Sequence, residues 1–592
     1  MKSHIPLIIV ESPNKAKKIN EMFAGRFHAK ATFGHVCDLP SNPTEGIGID
    51  RPNMKGLYEL TEDKKRTVDG KRVIDGLKKY IDDHPGVEVY LGTDEDREGE
   101  SIAAFVMKYL RLQSPKRMRF NAILPEKIEQ AFANADEIDW AAVSSREARR
   151  LIDRIIGYVA SPVLRNIVKE KGVAAGRVQT AVEALVIERE FKIRAFKPQT
   201  FYSVHMDFGG WEAVWQIPAT PRANTGPMTN SEYDIDDTTA RCFDEALAKQ
   251  MANQRALVVA SCSETFELKL PPSPLYTISM LQVANRVLGW DADKTMQIAQ
   301  KLFEGDGAGH GHITYHRTDS PNMDEAPAEE IRVWLKKQGL PVAAERNMWK
   351  CKNKQAQEGH EAIRPSYFEE EEAGVTEEQK ALYRLIRERA IYSQLAPARY
   401  AVKKIVLVDA VNGKHKFTAT ARVLVDPGWL ETGAAQSSSM SDEEDDKSKV
   451  VPTVTLPDLK SGALINVVKS EVKSHTTKRP PRYTINTLTS KLETLSIGRP
   501  ATMATLLKNV QIKGTVVLNS KKQLEPTPVG ERCYNIVYPR LSFAHIGYTA
   551  ELEQALDQIA GGRIDGQNLV RSVWDRLDTD CAALITIPGA SV

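Results

Sequence analysis

Two short, mainly apolar runs near the start of the chain each end in a polar turn that opens a helix. Pro6-Leu7-Ile8-Ile9-Val10 stops at Glu11-Ser12-Pro13-Asn14, and a helical pattern follows from about Lys15 to Phe23. Val87-Glu88-Val89-Tyr90-Leu91 runs into Gly92-Thr93-Asp94-Glu95-Asp96-Arg97-Glu98-Gly99-Glu100, then an apolar helix through Phe105 and Leu110. Strand, polar turn and helix repeated in this way predict an α/β domain with a parallel sheet. Sites in such domains form at the carboxyl ends of the strands, so Glu11, Asp94 and Asp96 are expected at one edge.

Farther along, Ser145 to Val159 carries a helical period, with Arg150, Arg154 and Tyr158 at i, i+4 and i+8. Ile152, Ile155, Ile156 and Val159 occupy another, apolar face. Arginines with a tyrosine can hold phosphates and stack a base. An ordinary helix with a solvated basic face has the same pattern. Ala174-Ala175-Gly176-Arg177-Val178-Gln179-Thr180 opens a helix running to about Phe191, and its small residues let backbone amides approach a phosphate. From Phe201 to about Leu270 the pattern is β-like, broken by a Pro/Thr/Asn-rich loop near 217–230. Helices dominate from Pro271 to about Ile391, and β pattern returns near Tyr400 to Val425 and Ala463 to Val472. The two β segments predict one β-rich unit entered twice, with the helical block inserted. Between them, the serine-rich and then acidic stretch 434–450 reads as a flexible surface loop. From Tyr483 the chain reads as helical and basic, with Gly498-Arg499-Pro500-Ala501-Thr502 between two helices. There is no internal repeat and no heptad run.

The chemistry concentrates at two places. Asp94-x-Asp96-x-Glu98 is a compact set of alternating acids, with Glu11 at an equivalent strand end. Carboxylates gathered there cost free energy unless a cation joins them, and hard oxygen ligands beside a phosphate favour Mg²⁺. A solvated acidic loop is the plain alternative. Lys15, four residues after Glu11, can approach a phosphate. The second place is His312-Ile313-Thr314-Tyr315-His316-Arg317-Thr318-Asp319-Ser320. A free tyrosine hydroxyl has a pKa near ~10 and is a poor nucleophile at neutral pH unless a fixed cation lies beside it. Arg317, two residues on, points to the same side as Tyr315 if the stretch is extended. A tyrosine in an apolar-flanked stretch can equally be a core residue.

Length and charge set the limits. The chain has 592 residues, too many for a single compact core. Its net charge of +2 hides an uneven distribution: basic clusters recur (Lys15-Ala16-Lys17-Lys18, Arg149-Arg150, Lys478-Arg479), while acid gathers at Asp442-Glu443-Glu444-Asp445-Asp446. The small sum therefore does not argue against a nucleic-acid partner. Six cysteines include no C-x-x-C pair, so neither a zinc ribbon nor a thioredoxin-like motif is supported, and their scatter fits a reducing cytosol. The first apolar run is too short for a signal peptide, and none approaches the ~20 residues of a membrane span. A cytoplasmic protein without a membrane partner is expected.

Eight segments taken together resemble the type IA DNA topoisomerases, specifically the bacterial topoisomerase I branch. They are Val10-Glu11-Ser12-Pro13-Asn14-Lys15-Ala16, Gly34-His35-Val36-Cys37-Asp38-Leu39-Pro40, Thr93 to Glu100, Ala148 to Tyr158, Ala175-Gly176-Arg177-Val178-Gln179, Ile313 to Ser320, Glu358-Gly359-His360-Glu361-Ala362-Ile363-Arg364-Pro365, and Pro480-Pro481-Arg482-Tyr483-Thr484 with Ile497-Gly498-Arg499-Pro500. They fall in family order over nearly the whole chain. The resemblance implies a Toprim domain joined to a multi-domain toroid with a central hole for DNA. The fold class is thus α/β plus mainly α and β domains. It divides the chain into a Toprim domain (1–140), a helical DNA-gate domain (141–200 and 474–592), a β-rich arch (201–270 and 400–473) and a helical domain carrying the nucleophile (271–399).

The resemblance also implies roles. Tyr315 would attack one DNA strand and keep its 5′ phosphate. Glu11 would be the general acid for the leaving 3′ oxygen, and Lys15 and Arg317 would stabilise the transition state. Glu11, Asp94, Asp96 and Glu98 would form the Mg²⁺ site needed for strand passage and resealing. His360 would support the site by hydrogen bonding. Arg149, Arg150, Arg154, Tyr158, Arg177, Gln179 and Arg499 would hold the single strand. Substrates would be single-stranded and negatively supercoiled DNA, bound by a monomer. The phosphotyrosine bond conserves the phosphodiester energy, so no nucleotide is needed, and no G-x-x-x-x-G-K-[ST] loop is present. The rivals are a topoisomerase III-like decatenase, another Toprim enzyme such as a primase or nuclease, and a catalytically silent DNA-binding scaffold.

Some positions depart from the family pattern. Ala174 stands where a serine is usual, so one hydrogen bond to DNA is expected to be missing. Cys37 replaces a common basic residue and Met503 a common tyrosine, and the 592 residues contain no cysteine-rich zinc ribbons. The run Glu304-Gly305-Asp306-Gly307-Ala308-Gly309-His310-Gly311-His312 is longer than expected. Its two histidines are expected in a flexible loop rather than on a metal.

Overall fold

Leu7, Ile8, Ile9 and Val10 are all fully buried, because the strand they form lies inside a parallel sheet covered on both faces. The computed structural model describes residues 5–41, 47–62, 69–170, 173–218, 240–305, 309–351, 360–437, 455–499, 503, 506, 514–536 and 538–585. The sheet has four strands in the order His28–Ala31, Leu7–Val10, Val89–Leu91, Lys116–Arg117, all parallel. Alternate side chains of Leu7–Val10 enter opposite cores: Ile8 and Val10 join Ile19 and Phe23, while Leu7 and Ile9 join Ile74 and Phe105. Leu7–Val10 connects to a neighbour on one side through the helix Pro13–Met22, and Val89–Leu91 lies on its other side. The gap between these two strands is therefore a topological switch point, where parallel sheets form their sites. Glu11 follows one strand end and Asp94 the other.

Both helices that leave this edge are capped by its own residues. Ser12 accepts a hydrogen bond from Asn14 N, with Pro13 opening the helix Pro13–Met22. Asp96 accepts one from Gly99 N at the start of Arg97–Leu110. Gly99 is required there, since a Cβ would lie 2.1 Å from the Asp94 carbonyl oxygen.

The apolar core on the Ile8/Val10 face continues into the helical block. It includes Leu275, Met280, Phe303, Ile313 and Tyr315 from 275–315, and Ile363 and Leu382 beyond. Burial of one shared core thus presses the tyrosine segment against the switch point.

The helix predicted from Ser145 starts earlier, spanning Trp140–Ile155, and passes into a π-helical turn at Ile156–Ala160 that carries Tyr158. Arg177–Ala195 is a helix buried on nearly every side, packed in one core with Leu488, Leu552, Leu556 and Trp574. The region after Tyr483 is not all helical. Val516–Leu518 and Leu524–Pro526 form an antiparallel hairpin, too short for its period to stand out among helical neighbours.

The two β segments meet in one sheet of seven antiparallel strands. Its order is Leu464–Asn466, Ala256–Lys269, Ala398–Asp409, Lys416–Asp426, Glu212–Gln216, Thr200–Asp207, Lys469–Thr476. Strands from before and after the helices of 277–392 therefore lie side by side. Residues 438–450 of the serine-rich and acidic stretch 434–450 lie outside the described residues. Among the described residues no helix is long and apolar enough to cross a membrane.

Candidate active site

The backbone of the tyrosine segment is pinned from two sides. Tyr315 N donates to Asn121 O (2.8 Å), just beyond the parallel sheet. Thr314 N donates to Arg364 O (2.9 Å), and Ile313 bridges Pro365. Arg364 is held in turn by both oxygens of Glu361 (2.8 and 2.9 Å). The Tyr315 ring is buried edge-on against Phe303, with centroids 5.3 Å apart. Its hydroxyl donates to Asp96 Oδ2 at 2.7 Å. The structure therefore brings the predicted nucleophile onto the predicted acidic edge, 219 residues away in sequence.

Glu11 Oε1 accepts from Asp94 N (3.0 Å), and the Lys15 ammonium is hydrogen-bonded to Asp94 Oδ1. Burial raises the Glu11 carboxyl to about 8, reinforced by the neighbouring Asp94 and Asp96 charges against the pull of Lys15. Burial would also raise Asp94, but the Lys15 ammonium, followed by Arg317, holds it below the usual carboxylate range. The Tyr315 hydroxyl is pushed well above its ordinary value by burial, then by Asp96 and Asp94. Arg317 is nearly buried, faces Tyr315, Asp96, Asp94 and Glu11, and its Nε has no hydrogen-bond partner among the described residues. Glu11, Lys15, Asp94 and Arg317 line one cleft of about 710 Å³. His316 is buried and neutral, its pKa lowered to about 3 by burial and then by Arg317.

Two predicted residues are placed otherwise than expected. Glu98 turns away from Asp94 and Asp96. Its oxygens accept from Arg146 (both 3.0 Å) and contact His35, and these partners hold it below the usual range against the opposing effect of burial. The reason is local: the extended spacing of Asp94 and Asp96 ends at the Asp96 cap, and Glu98 falls in the first turn of a helix. His360 packs its ring against Tyr315, with centroids 5.4 Å apart, and its Nδ1 has no hydrogen-bond partner among the described residues. Its contact with the tyrosine is ring packing, where hydrogen bonding was expected.

The predicted DNA-contact residues form two groups, each paired within the chain. Arg150, Arg154 and Tyr158 do share a face. Arg150 reaches Asp38 (2.6 Å), Arg154 reaches the carbonyls of Ile47 (3.0 Å) and Pro40, and Tyr158 reaches Ser41 O (3.3 Å). Arg154 also stacks on the Tyr158 ring at 4.0 Å. Arg149, Arg177 and Arg499 converge instead on fully buried Glu553, at 3.3, 2.8 and 3.2 Å. Gln179 is buried and bonds Glu183 (2.6 Å).

Sequence reasoning missed Arg117. It is fully buried and donates to the carbonyls of Leu91 (3.0 Å), Thr93 (2.9 Å) and Asp94 (2.7 Å) and to Glu100 (2.9 Å). It thereby fixes the loop that carries Asp94. The available signal was weak: a basic residue alternating with apolar ones in Arg117-Met118-Arg119-Phe120.

A tyrosine hydroxyl, carboxylates and two cations at the switch point of a parallel sheet are the groups that phosphoryl transfer requires. Comparison with known proteins narrows the class. Residues 6–123 match the Toprim domain, and residues 137–571 match the DNA topoisomerase family. The chain is similar to "DNA topoisomerase I, plasmid" of Xylella fastidiosa (strain 9a5c), with 36% identity over 587 residues, 98% of this chain and 84% of that one. It is also similar to the solved structure of full-length topoisomerase I from Thermotoga maritima. There the TM-score is 0.70 at 28% identity, over 97% of this chain and 90% of that one. The chain belongs to the type IA DNA topoisomerases, in the bacterial topoisomerase I branch. It is a DNA topoisomerase that breaks and reseals single strands of DNA, and it has the family's fold, a Toprim domain joined to a multi-domain toroid. A Toprim domain is a metal-binding domain.

Proposed function

We propose that Tyr315 cleaves one DNA strand by attacking a backbone phosphorus, forming the Tyr315 Oη–P bond as the P–O3′ bond breaks. The observation that supports this most directly is the 2.7 Å hydrogen bond from Tyr315 to Asp96. It sets the hydroxyl beside Glu11, Asp94, Lys15 and Arg317. Asp96 is the acceptor at hand for the hydroxyl proton. Glu11, raised to about 8, carries a proton near neutrality and delivers it to the departing 3′ oxygen. Lys15 and Arg317 counter the charge that develops on the phosphate. His360 keeps the Tyr315 ring in place.

The carboxylates of Glu11, Asp94 and Asp96 fit a hard divalent cation. They lie close together with the Lys15 ammonium bonded to Asp94, and Glu11 is raised by burial and then by the charges of Asp94 and Asp96. Glu98 could join only by releasing Arg146. Mg²⁺ bound there would offset the carboxylate charge and help hold the broken ends for resealing. Arg149, Arg150, Arg154, Tyr158, Arg177, Gln179 and Arg499 supply the strand-binding face once DNA phosphates compete with their partners in the chain. The substrate is negatively supercoiled or partly single-stranded DNA, and a monomeric, cytoplasmic enzyme accounts for the reading.

The test is relaxation of negatively supercoiled plasmid with Mg²⁺ and no ATP, wild type beside Tyr315→Phe. Stepwise relaxation by the wild type alone, with a covalent DNA adduct only in the wild type, is expected. Turnover by Tyr315→Phe would remove the tyrosine from its assigned role.

A further inference from the structure

The run before the tyrosine motif is folded against its surroundings where it is described. Gly311 N donates to Ile123 O (2.9 Å), His312 N to Leu302 O (2.8 Å), and Ser366 N to His312 O (2.8 Å). Only glycine fits at 311, since a Cβ would lie 2.5 Å from the Phe303 carbonyl oxygen. Backbone bonds thus place Gly311 and His312, where composition alone predicts a flexible loop.

Both rings face Glu370. His310 Nε2 lies 3.1 Å from Glu370 Oε1, and His312 Nδ1 lies 3.9 Å from Oε2. One donor atom from each of the three side chains lies within 4.8 Å of the other two. Zinc–nitrogen bonds are about 2.0–2.1 Å and zinc–oxygen bonds about 2.0–2.2 Å, so tetrahedral neighbours stand ~3.3 Å apart. The observed separations bracket that value. Glu370 is itself anchored, its carbonyl accepting from Tyr383 (2.9 Å) and its N–H donating to Tyr367 O (3.2 Å). The Tyr367 ring meets His310 edge-on at 5.0 Å.

We propose that His310, His312 and Glu370 form a binding site for a first-row divalent ion of the Zn²⁺ class, separate from the Toprim acids. Two imidazoles and one carboxylate suit such an ion and leave a fourth position for water, whereas Mg²⁺ prefers oxygen ligands throughout. The site has a structural consequence. His312 is three residues before Tyr315, and Ile313 and Thr314 are already paired with Pro365 and Arg364. An ion joining His310 and His312 to Glu370 would tie the two segments together at the His312 end of that pairing and steady the backbone that presents the tyrosine. A histidine–carboxylate ion pair without metal would have similar geometry, and metal binding separates the two.

The experiment uses the full chain, stripped of metal and titrated with Co²⁺ as an optical probe, then with Zn²⁺. Expected is one equivalent of Co²⁺ giving a visible band of tetrahedral type, displaced by Zn²⁺ but not by excess Mg²⁺. It should persist in Asp94→Asn/Asp96→Asn and weaken at least about tenfold in both His310→Ala and Glu370→Gln. Glu370→Gln preserves shape at a partly exposed position, so it guards against misfolding as the cause. Zn²⁺ should also slow hydrogen exchange across 309–315 in the wild type. Absence of a band, a band unchanged in His310→Ala and Glu370→Gln, or a band lost with Asp94 and Asp96 would each overturn the proposal.

Discussion

The Tyr315 hydroxyl donates a 2.7 Å hydrogen bond to Asp96 Oδ2, while Asp96 Oδ1 accepts from Gly99 N and caps the helix behind it. One carboxylate therefore holds the proposed nucleophile and starts a helix of the Toprim domain. Burial and the two nearby acids keep the tyrosine protonated, so the arrangement is a resting one. A phosphate beside Arg317 and a cation among the acids would each shift the balance toward reaction.

Asp96→Asn separates these roles. Asparagine caps a helix about as well as aspartate, so the fold should survive. The negative charge that raises Tyr315 is removed, together with one proposed Mg²⁺ ligand. Covalent adduct formation on a short single-stranded oligonucleotide should slow, since asparagine cannot take the hydroxyl proton, and Mg²⁺-dependent plasmid relaxation should fall at least about tenfold. A Mg²⁺ titration of relaxation measures this. An unchanged Mg²⁺ dependence would take Asp96 out of the metal site.

Glu11 makes the reaction pH-dependent. Its folded pKa of about 8 lies above the ordinary 4.5, so the folded protein holds a proton on it between those values and the unfolded chain does not. Raising the pH through that window therefore costs stability as well as the catalytic proton. Single-turnover cleavage should decline above about pH 8 in the wild type. Glu11→Gln should be slow throughout and lack that limb. A wild-type profile flat to pH 9.5 or so would count against Glu11 as the acid.

Much of the Toprim edge was legible because continuous apolar strands are read directly, and their ends place Glu11 and Asp94. Glu98 misled because D-x-D-x-E looks like one ligand set only while the backbone stays extended. The helix that starts after Asp96 rotates Glu98 onto Arg146. The arginines were legible as a basic surface, but their partners were not. Arg177 and Glu553 are separated by 376 residues, and no local pattern links them. His310 and His312 were visible as residues, yet Glu370, which gives them a possible function, is contributed by a different segment.

Arg117 offers a test of positioning. Arg117→Met keeps most of the volume but leaves Glu100 and the carbonyls of Leu91, Thr93 and Asp94 without their buried donor. Loss of one partner in a buried ionic network costs about 3–5 kcal/mol. The Arg119 contact to Glu100 (2.8 Å) should keep the loss toward the lower end. A lowered urea midpoint by far-UV circular dichroism, with weakened relaxation in the protein that remains folded, is expected. Wild-type stability would show that the loop carrying Asp94 is fixed by other contacts.

Glu553 is the charge on which the helical unit turns. It is fully buried, and Arg149, Arg177 and Arg499 all lie within 3.3 Å of its oxygens. Burial opposes its ionisation, but the three guanidiniums win and hold its pKa below the ordinary 4.5. A depressed carboxyl contributes its full stabilisation above 4.5 and loses it progressively as the pH falls toward the folded value. Glu553→Ala would leave three arginines facing one another, with Asp153, Asp557 and Asp319 still nearby. The expected cost is about 3–5 kcal/mol, read as a lower urea midpoint at pH 7. That cost should shrink when both proteins are compared well below pH 4.5, where the wild type is losing the same interaction. A penalty that stays constant with pH would mean that Glu553 acts through its shape, and that the arginines are neutralised by their other partners.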